Sequence, residues 1–275
     1  MKKLFITAAL ASTCFLAGAQ DMMSKKGTPI LPEAGDWSIG IDATDVIRFF
    51  GNMFTKDANN NSSLSPEINQ TLTGLYVKDE NTAFRIKLRI GFGSMTENAL
   101  VNDDGSTSNP PATVTDTWKQ TTTNFTIGAG LQKSRGKGRL HGIYGAEALI
   151  GLSGGKSTYT YGNNFSSSNT APTSYDFGSN IIGNARVTED KGGSTFNFGI
   201  DGFIGAEYFF APKISLSGEY SWGLMLSSTG EGETTAEMLN STGDGGTSNT
   251  TKTGKSSSFG LDVTNIGSIT MHLYF

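Results

Sequence analysis

Apolar and polar residues alternate one for one along much of this chain, the period of a β-strand with one apolar face. In AFRIKLRIGFG, residues 83–93, Phe84, Ile86, Leu88, Ile90 and Phe92 share one face, and Arg85, Lys87, Arg89, Gly91 and Gly93 share the other. DWSIGIDA sets Trp37, Ile39, Ile41 and Ala43 against Ser38, Gly40 and Asp42. Similar runs cover 121–133 (Phe125, Ile127 and Leu131 against Asn124, Thr126 and Gln132) and 139–152 (Leu140, Tyr144 and Ile150 against His141 and Glu147). Residues 194–210 set Phe196, Ile200, Ile204 and Tyr208 against Asn197, Asp201 and Glu207. Residues 213–226 set Ile214, Leu216, Tyr220 and Trp222 against Ser215, Ser217, Glu219 and Ser221. The last twenty residues place Phe259, Leu261, Ile269, Met271, Leu273 and Phe275 opposite Ser258, Asp262, Thr270, His272 and Tyr274. Residues 71–78 are the least regular run, and a β-bulge fits there. Eight strands are expected in all, most of them longer than is usual in soluble sheets.

The connections sort by length. Those at 79–82, 134–138 and 211–212 are short, and they alternate with long ones at 45–70, 94–119, 153–193 and 227–255 that are rich in Ser, Thr, Asn and Gly. Strict alternation places every long loop at one end, the arrangement of outer-membrane barrels, which have short periplasmic turns and long extracellular loops. The pattern therefore predicts an all-β fold, a transmembrane antiparallel up-and-down β-barrel of eight strands over residues 36–275, with both termini periplasmic and 20–35 as a periplasmic N-terminal segment. The polar loop composition predicts flexible surface sequence without a packed core.

Parity then places the charges. Lysine or arginine facing lipid costs about 2–4 kcal/mol near the midplane, so Arg85, Lys87 and Arg89 are assigned to the interior. They share it with Asp42, Glu147, Asp201, Glu207, Glu219 and Asp262 from other strands. The interior of an eight-stranded barrel is just wide enough for side chains to fill. A plugged ionic lumen follows; a narrow ion-conducting path lined by the same residues is the alternative.

The N-terminus fixes the export route. Residues 1–19 carry Lys2 and Lys3, an apolar run from Leu4 to Leu16 and Ala17-Gly18-Ala19, which is the form of a cleavable secretory signal ending before Gln20. Cys14, the single cysteine, lies within it, so the mature chain has no thiol for disulfides, metal ligation or nucleophilic attack. Losing Lys2 and Lys3 leaves 19 basic against 25 acidic residues, a formal charge of −6. That balance gives no basic footprint for nucleic acid. No apolar run of about 18 residues follows, so no transmembrane helix is expected, a criterion that does not bear on β-barrels.

Candidate chemistry is sparse. Catalysis by general base or nucleophile usually needs a histidine with an orienting partner, and only His141 and His272 are present, both expected at the periplasmic end. No catalytic residue, cofactor site or metal site is assigned. NDDGSTSN at 102–109 suggests calcium at first sight but lacks the bidentate glutamate of a hand-type loop. DVIRFFGNMF at 45–54 fits either an amphipathic helix behind an Asp45 cap or an upward continuation of the first strand.

With its signal segment, alternating runs, loop asymmetry and terminal Phe275, the chain resembles the small OmpX/OmpA-type outer-membrane barrels over nearly its whole mature length. GDWSIGIDATDVIRFFGNMF and RIKLRIGFGS are similar in style to uncharacterised Bacteroidota barrel proteins. The resemblance implies residence in the outer membrane of a Gram-negative cell. It implies contact with outer-membrane lipid and lipopolysaccharide, and recognition of Ile269, Met271, Leu273 and Phe275 by the barrel assembly machinery. The expected role is non-enzymatic, structural or interactive, through the extracellular loops. The alternatives are a narrow channel, an accessory subunit bound to an outer-membrane protein partner, or a lipid-modifying barrel enzyme.

Overall fold

The computed structural model of the chain describes residues 23–24, 26–43, 71–262 and 267–275. The signal segment and the 45–54 stretch fall outside these residues. The described chain is all-β, with thirteen strands in one antiparallel sheet. They are β1 (Trp37–Asp42), β2 (Leu72–Asp79), β3 (Thr82–Asn102), β4 (Thr113–Lys137), β5 (Leu140–Thr160), β6 (Ile181–Ile182), β7 (Ala185–Lys191), β8 (Thr195–Ala211), β9 (Ile214–Thr229), β10 (Gly232–Leu239), β11 (Gly246–Thr253), β12 (Ser256–Asp262) and β13 (Gly267–Tyr274). No helix among the described residues is long and apolar enough to cross a membrane.

Each strand from β1 to β5 pairs with the next, β5 pairs with β8, β8 with β9, β9 with β13, and β13 returns to β1. The pairings thus form a ring. Its wall is uneven, six residues deep at β1 but 21 at β3 and 25 at β4. The irregular second run carries a register shift between Val77 and Asp79, a bulge that takes up the extra residue where the chain turns into β3. The expected final strand is divided into β12 and β13, both paired to β9.

Alternation sorts side chains by environment. Trp37, Ile39, Phe84, Ile86, Ile90, Phe125, Ile127, Tyr144, Ile150, Ile200, Ile204, Trp222, Leu224 and Leu273 all stand exposed on the outer face. The opposite parity buries Ser38, Arg85, Gln132, Glu147, Glu207, Ser215, Ser217, Glu219 and His272. Ala43 departs from the expected parity. It follows the end of β1, is buried, and its amide donates to the Ile269 carbonyl at 2.7 Å.

Two expectations about connections are corrected. The link at 134–138 is mostly strand, since β4 runs to Lys137 and only Gly138, at φ 75°, and Arg139 turn the chain. The long connections are not plain loops either. β3 and β4 stay paired up to Asn102 and Thr113, and β5 continues past the ring to carry a second tier in the order β5-β7-β10-β11. Threonine and tyrosine favour extended backbone, and each added pair satisfies groups that a loop would leave to water.

This tier has a core, contrary to the composition-based reading. Tyr159, Tyr161 and Val187 are buried, with Trp118 and Phe177 packed on them. The Arg186 guanidinium lies 4.2 Å from the Tyr161 ring centre and 4.9 Å from that of Phe165, and its Nε donates to Glu237 at 2.6 Å. Burial pushes the Tyr161 phenol up to about 12, so it stays a neutral donor, held at 2.6 Å from the Val187 carbonyl. Buried Asp116 accepts from the amides of Gly162 and Tyr175, both at 2.8 Å.

At the opposite end, the segment before β1 folds across the short turns. Ile30 is buried with Leu75, Val77, Ala83, Phe209 and Tyr274. Its carbonyl accepts from Lys213, a turn residue at φ 59°, and the Lys213 ammonium pairs with Asp36.

The second tier carries an acid-sensitive joint. Asp104 accepts from Asn169 Nδ2 at 2.7 Å and from the Thr173 amide at 2.8 Å. Burial alone would raise its carboxyl, but these bonds more than reverse that and hold it below its ordinary 3.8. A lowered carboxyl stabilises the fold above the ordinary value and loses that contribution as pH falls through the lowered one. The protection factor of the Thr173 amide, read by hydrogen exchange, should therefore drop as pH falls below about 4, and Asp104→Asn should remove this dependence.

Candidate functional site

Arg85 is the centre of the ring's interior. It lies on the inward face of β3 one turn of pleat from the tight Glu80–Asn81 connection, and 2% of its side chain is exposed. Its two terminal nitrogens donate to the two carboxylate oxygens of Glu219 on β9, at 2.8 and 2.7 Å. This is the fork-to-fork geometry that fixes orientation as well as charge. Arg85 Nε lies 3.1 Å from Glu147 Oε2 on β5, at ion-pair distance but not aligned as a hydrogen bond. Nη1 also reaches Gln132 Oε1 on β4 at 3.2 Å. Lys87 pairs with the other oxygen of Glu147. Two cations and two carboxylates thus form one neutral network joining β3, β5 and β9.

Aromatic and small residues seat the network. The Phe203 ring lies beneath the Arg85 guanidinium, 4.4 Å from its centre, and closely overlies Gly145. A Cβ at that glycine would come within 2.6 Å of the ring and 2.0 Å of the Leu131 carbonyl oxygen. Gly40 does the same for His272, whose ring would lie 2.5 Å from an added Cβ. An alanine at either place would push its aromatic neighbour off its seat.

The other inward charges are distributed around this centre. Glu207 is buried and accepts from Ser215 Oγ at 2.5 Å and from the Tyr274 hydroxyl at 2.8 Å. Asp201 is half-buried opposite Glu147 in the β5–β8 register. Arg89 and Asp42 are half-buried on the same inward parity, opposite Thr126 and Thr270. Asp262 ends β12, and its side chain lies outside the described residues. Among the charges expected inside, Arg85, Lys87, Glu147 and Glu219 form the direct network. Gln132, Phe203, Ser215 and Tyr274 complete the arrangement. Their inward parity was legible in the alternation; their partners depend on register between strands distant in sequence.

Both histidines lie at the short-turn end. His141 Nε2 is 3.2 Å from the Gly138 carbonyl and its ring meets Phe209 edge-on. His272 Nδ1 is 3.4 Å from Ser38 Oγ, and both residues are no more than 2% exposed. A Ser–His contact buried this deeply has no room for a substrate. Asp103 folds its own loop, its Oδ1 accepting from the Gly105 amide at 2.9 Å, while Asp104 ties that loop to Asn169 and Thr173. No group of three or more His, Cys, Asp or Glu able to hold a metal occurs among the described residues. Of the terminal apolar run, Met271, Leu273 and Phe275 are exposed on the outer face, and Ile269 is half-buried beside Gly218.

No protein-family model matches this chain, and no curated protein matches it in sequence.

Removing one member of a buried ion pair leaves its partner charged and unsolvated, a loss of about 3–5 kcal/mol. Arg85→Met should lower stability by that order in urea titration of the purified protein, and the double variant R85M/E219Q, which keeps Lys87 paired with Glu147, should recover more than half of the loss. Equal stability of single and double variants would show that the charges act independently.

Proposed function

We propose that this protein is a non-enzymatic, eight-stranded transmembrane β-barrel of the outer membrane, similar to the OmpX/OmpA-type barrels, with a plugged ionic lumen. Its proposed role is structural or interactive, exercised through its extracellular tier. The observation that carries this reading is the sorting of the ring: large aliphatic and aromatic side chains stand exposed on the outer face of every strand, while Arg85, Lys87, Glu147, Glu207 and Glu219 lie inside. In water so large an exposed apolar surface would drive association. Against hydrocarbon it is the stable arrangement, with backbone groups paired between neighbouring strands of the ring.

The short turns then face the periplasm and the second tier faces outward. The Arg85–Glu219–Glu147–Lys87 network fills the lumen with neutralised charge, and the segment around Ile30 closes its lower mouth. A strand-built tier held by Arg186 offers a partner a defined surface, with Tyr175, Ile181 and Ile182 exposed on it. The burial of Ser38 and His272 and the use of His141 at a turn support a role without catalysis.

Two measurements test this. Protein expressed with its signal segment should float with outer-membrane vesicles and resist carbonate extraction; recovery in the soluble fraction would end the membrane reading. Purified protein in a planar bilayer should give no steady single-channel steps. Stable conductance would replace the plug with the narrow channel.

A further inference from the structure

Beyond the ionic network the inner face of the ring carries a hollow of about 500 Å³, within the range of small-molecule sites. Its level follows from β3, where Gly91 stands two inward positions past Lys87. Register sets its lining in rows across neighbouring strands. Gly91, Asn124, Ser153 and Thr195, from β3, β4, β5 and β8, form one row, and Thr122 and Gly155 stand side by side in the next. With neighbouring strands about 4.8 Å apart, Asn124 to Thr195 spans about 10 Å. Among the described residues no lysine, arginine, aspartate, glutamate or large apolar side chain lines the hollow. The side chains of Thr122, Asn124 and Ser153 make no hydrogen bond to another described residue, while the Thr195 hydroxyl is shared with Thr229 at 2.9 Å.

The fold does not require the glycine at 155. Its φ is not positive, and a Cβ there would lie 3.5 Å from the Thr121 carbonyl oxygen, an ordinary contact, whereas at Gly145 the backbone forbids one. Glycine inside a strand weakens it and often marks a close approach by a ligand. What Gly155 leaves is room. Neutral hydroxyl and amide groups without a protein partner, set around that room, suit a ligand that is itself neutral and rich in hydroxyls. An anion would find no cation in this lining, a cation no carboxylate, and an aliphatic ligand no apolar wall. We infer that the hollow binds a neutral saccharide, its hydroxyls on Thr122, Asn124 and Ser153 and its ring against Gly155. Asn124 offers both amide donors and an acceptor to adjacent hydroxyls, and Thr122 and Ser153 each donate and accept. The inference rests on the inner face of the ring and not on the membrane assignment.

The test is titration of the isotopically labelled full mature chain, in a detergent without a sugar headgroup, followed through the backbone amide resonances of Asn124, Ser153 and Gly155. The probes are glucose, galactose, N-acetylglucosamine and maltose, with 1,6-hexanediol, inorganic phosphate and 1,6-diaminohexane as controls. At least one sugar should shift these resonances saturably and bind at least about tenfold more tightly than any control. Asn124→Ala, which removes the amide donors and acceptor, should weaken that sugar about tenfold. Gly155→Leu, which fills the hollow from a position where a Cβ itself is accommodated, should abolish binding even if Asn124→Ala fails to fold. No saturable shift with any sugar, a control that binds as tightly, or unchanged binding in a folded Asn124→Ala or Gly155→Leu chain would overturn the inference.

Discussion

The bidentate pairing of Arg85 with Glu219 is the constraint around which the ring is arranged. A guanidinium this buried has to be met on several sides, and the residues that meet it come from β4, β5, β8 and β9: Gln132, Glu147, Phe203 and Glu219. A shift of any of these strands by one residue would turn its inward side chain to the outer face. The network therefore fixes register as well as charge. It does so in a molecule where apolar packing inside the ring is scarce, since the larger apolar side chains mostly face out.

The same economy operates above the ring. In the second tier Arg186 is again buried, again stacked on aromatic rings and again matched by a carboxylate, Glu237. Both arginines tie together strands that are not neighbours in sequence. Arginine suits this use because its planar fork and exposed π-face satisfy several partners at once. A lysine in either place would leave donors and ring faces unmatched.

Much of the wall was legible in the sequence because alternation is a local signal. The charges of Arg85, Lys87 and Arg89 at every second position declared the two faces of β3, and the broken rhythm near Lys78 declared the bulge. Partner choice was not legible. Glu147 and Glu219 meet Arg85 directly whereas Asp201 faces Glu147, a distinction set by the stagger of strands that no single run encodes. The second tier is hidden in its average composition. Ser, Thr and Asn dominate 153–193, but Tyr159 and Tyr161 alternate with Thr158 and Thr160, and Asp116 and Trp118 continue the inward parity of β4 beyond the ring. That parity, followed further, would have indicated a core where the composition indicated a loop.

The seam between β1 and β13 sets the order in which the molecule can be completed. Trp37 and Phe275 exchange backbone hydrogen bonds at 3.0 and 2.9 Å, and Ser38 meets His272 across 234 residues of chain. Until the last strand has been synthesised, β1 and β9 each present an open edge, and Glu207 lacks its Tyr274 donor. Without β13 the molecule would keep two open strand edges, on β1 and β9, and a buried Glu207 left with the Ser215 donor alone.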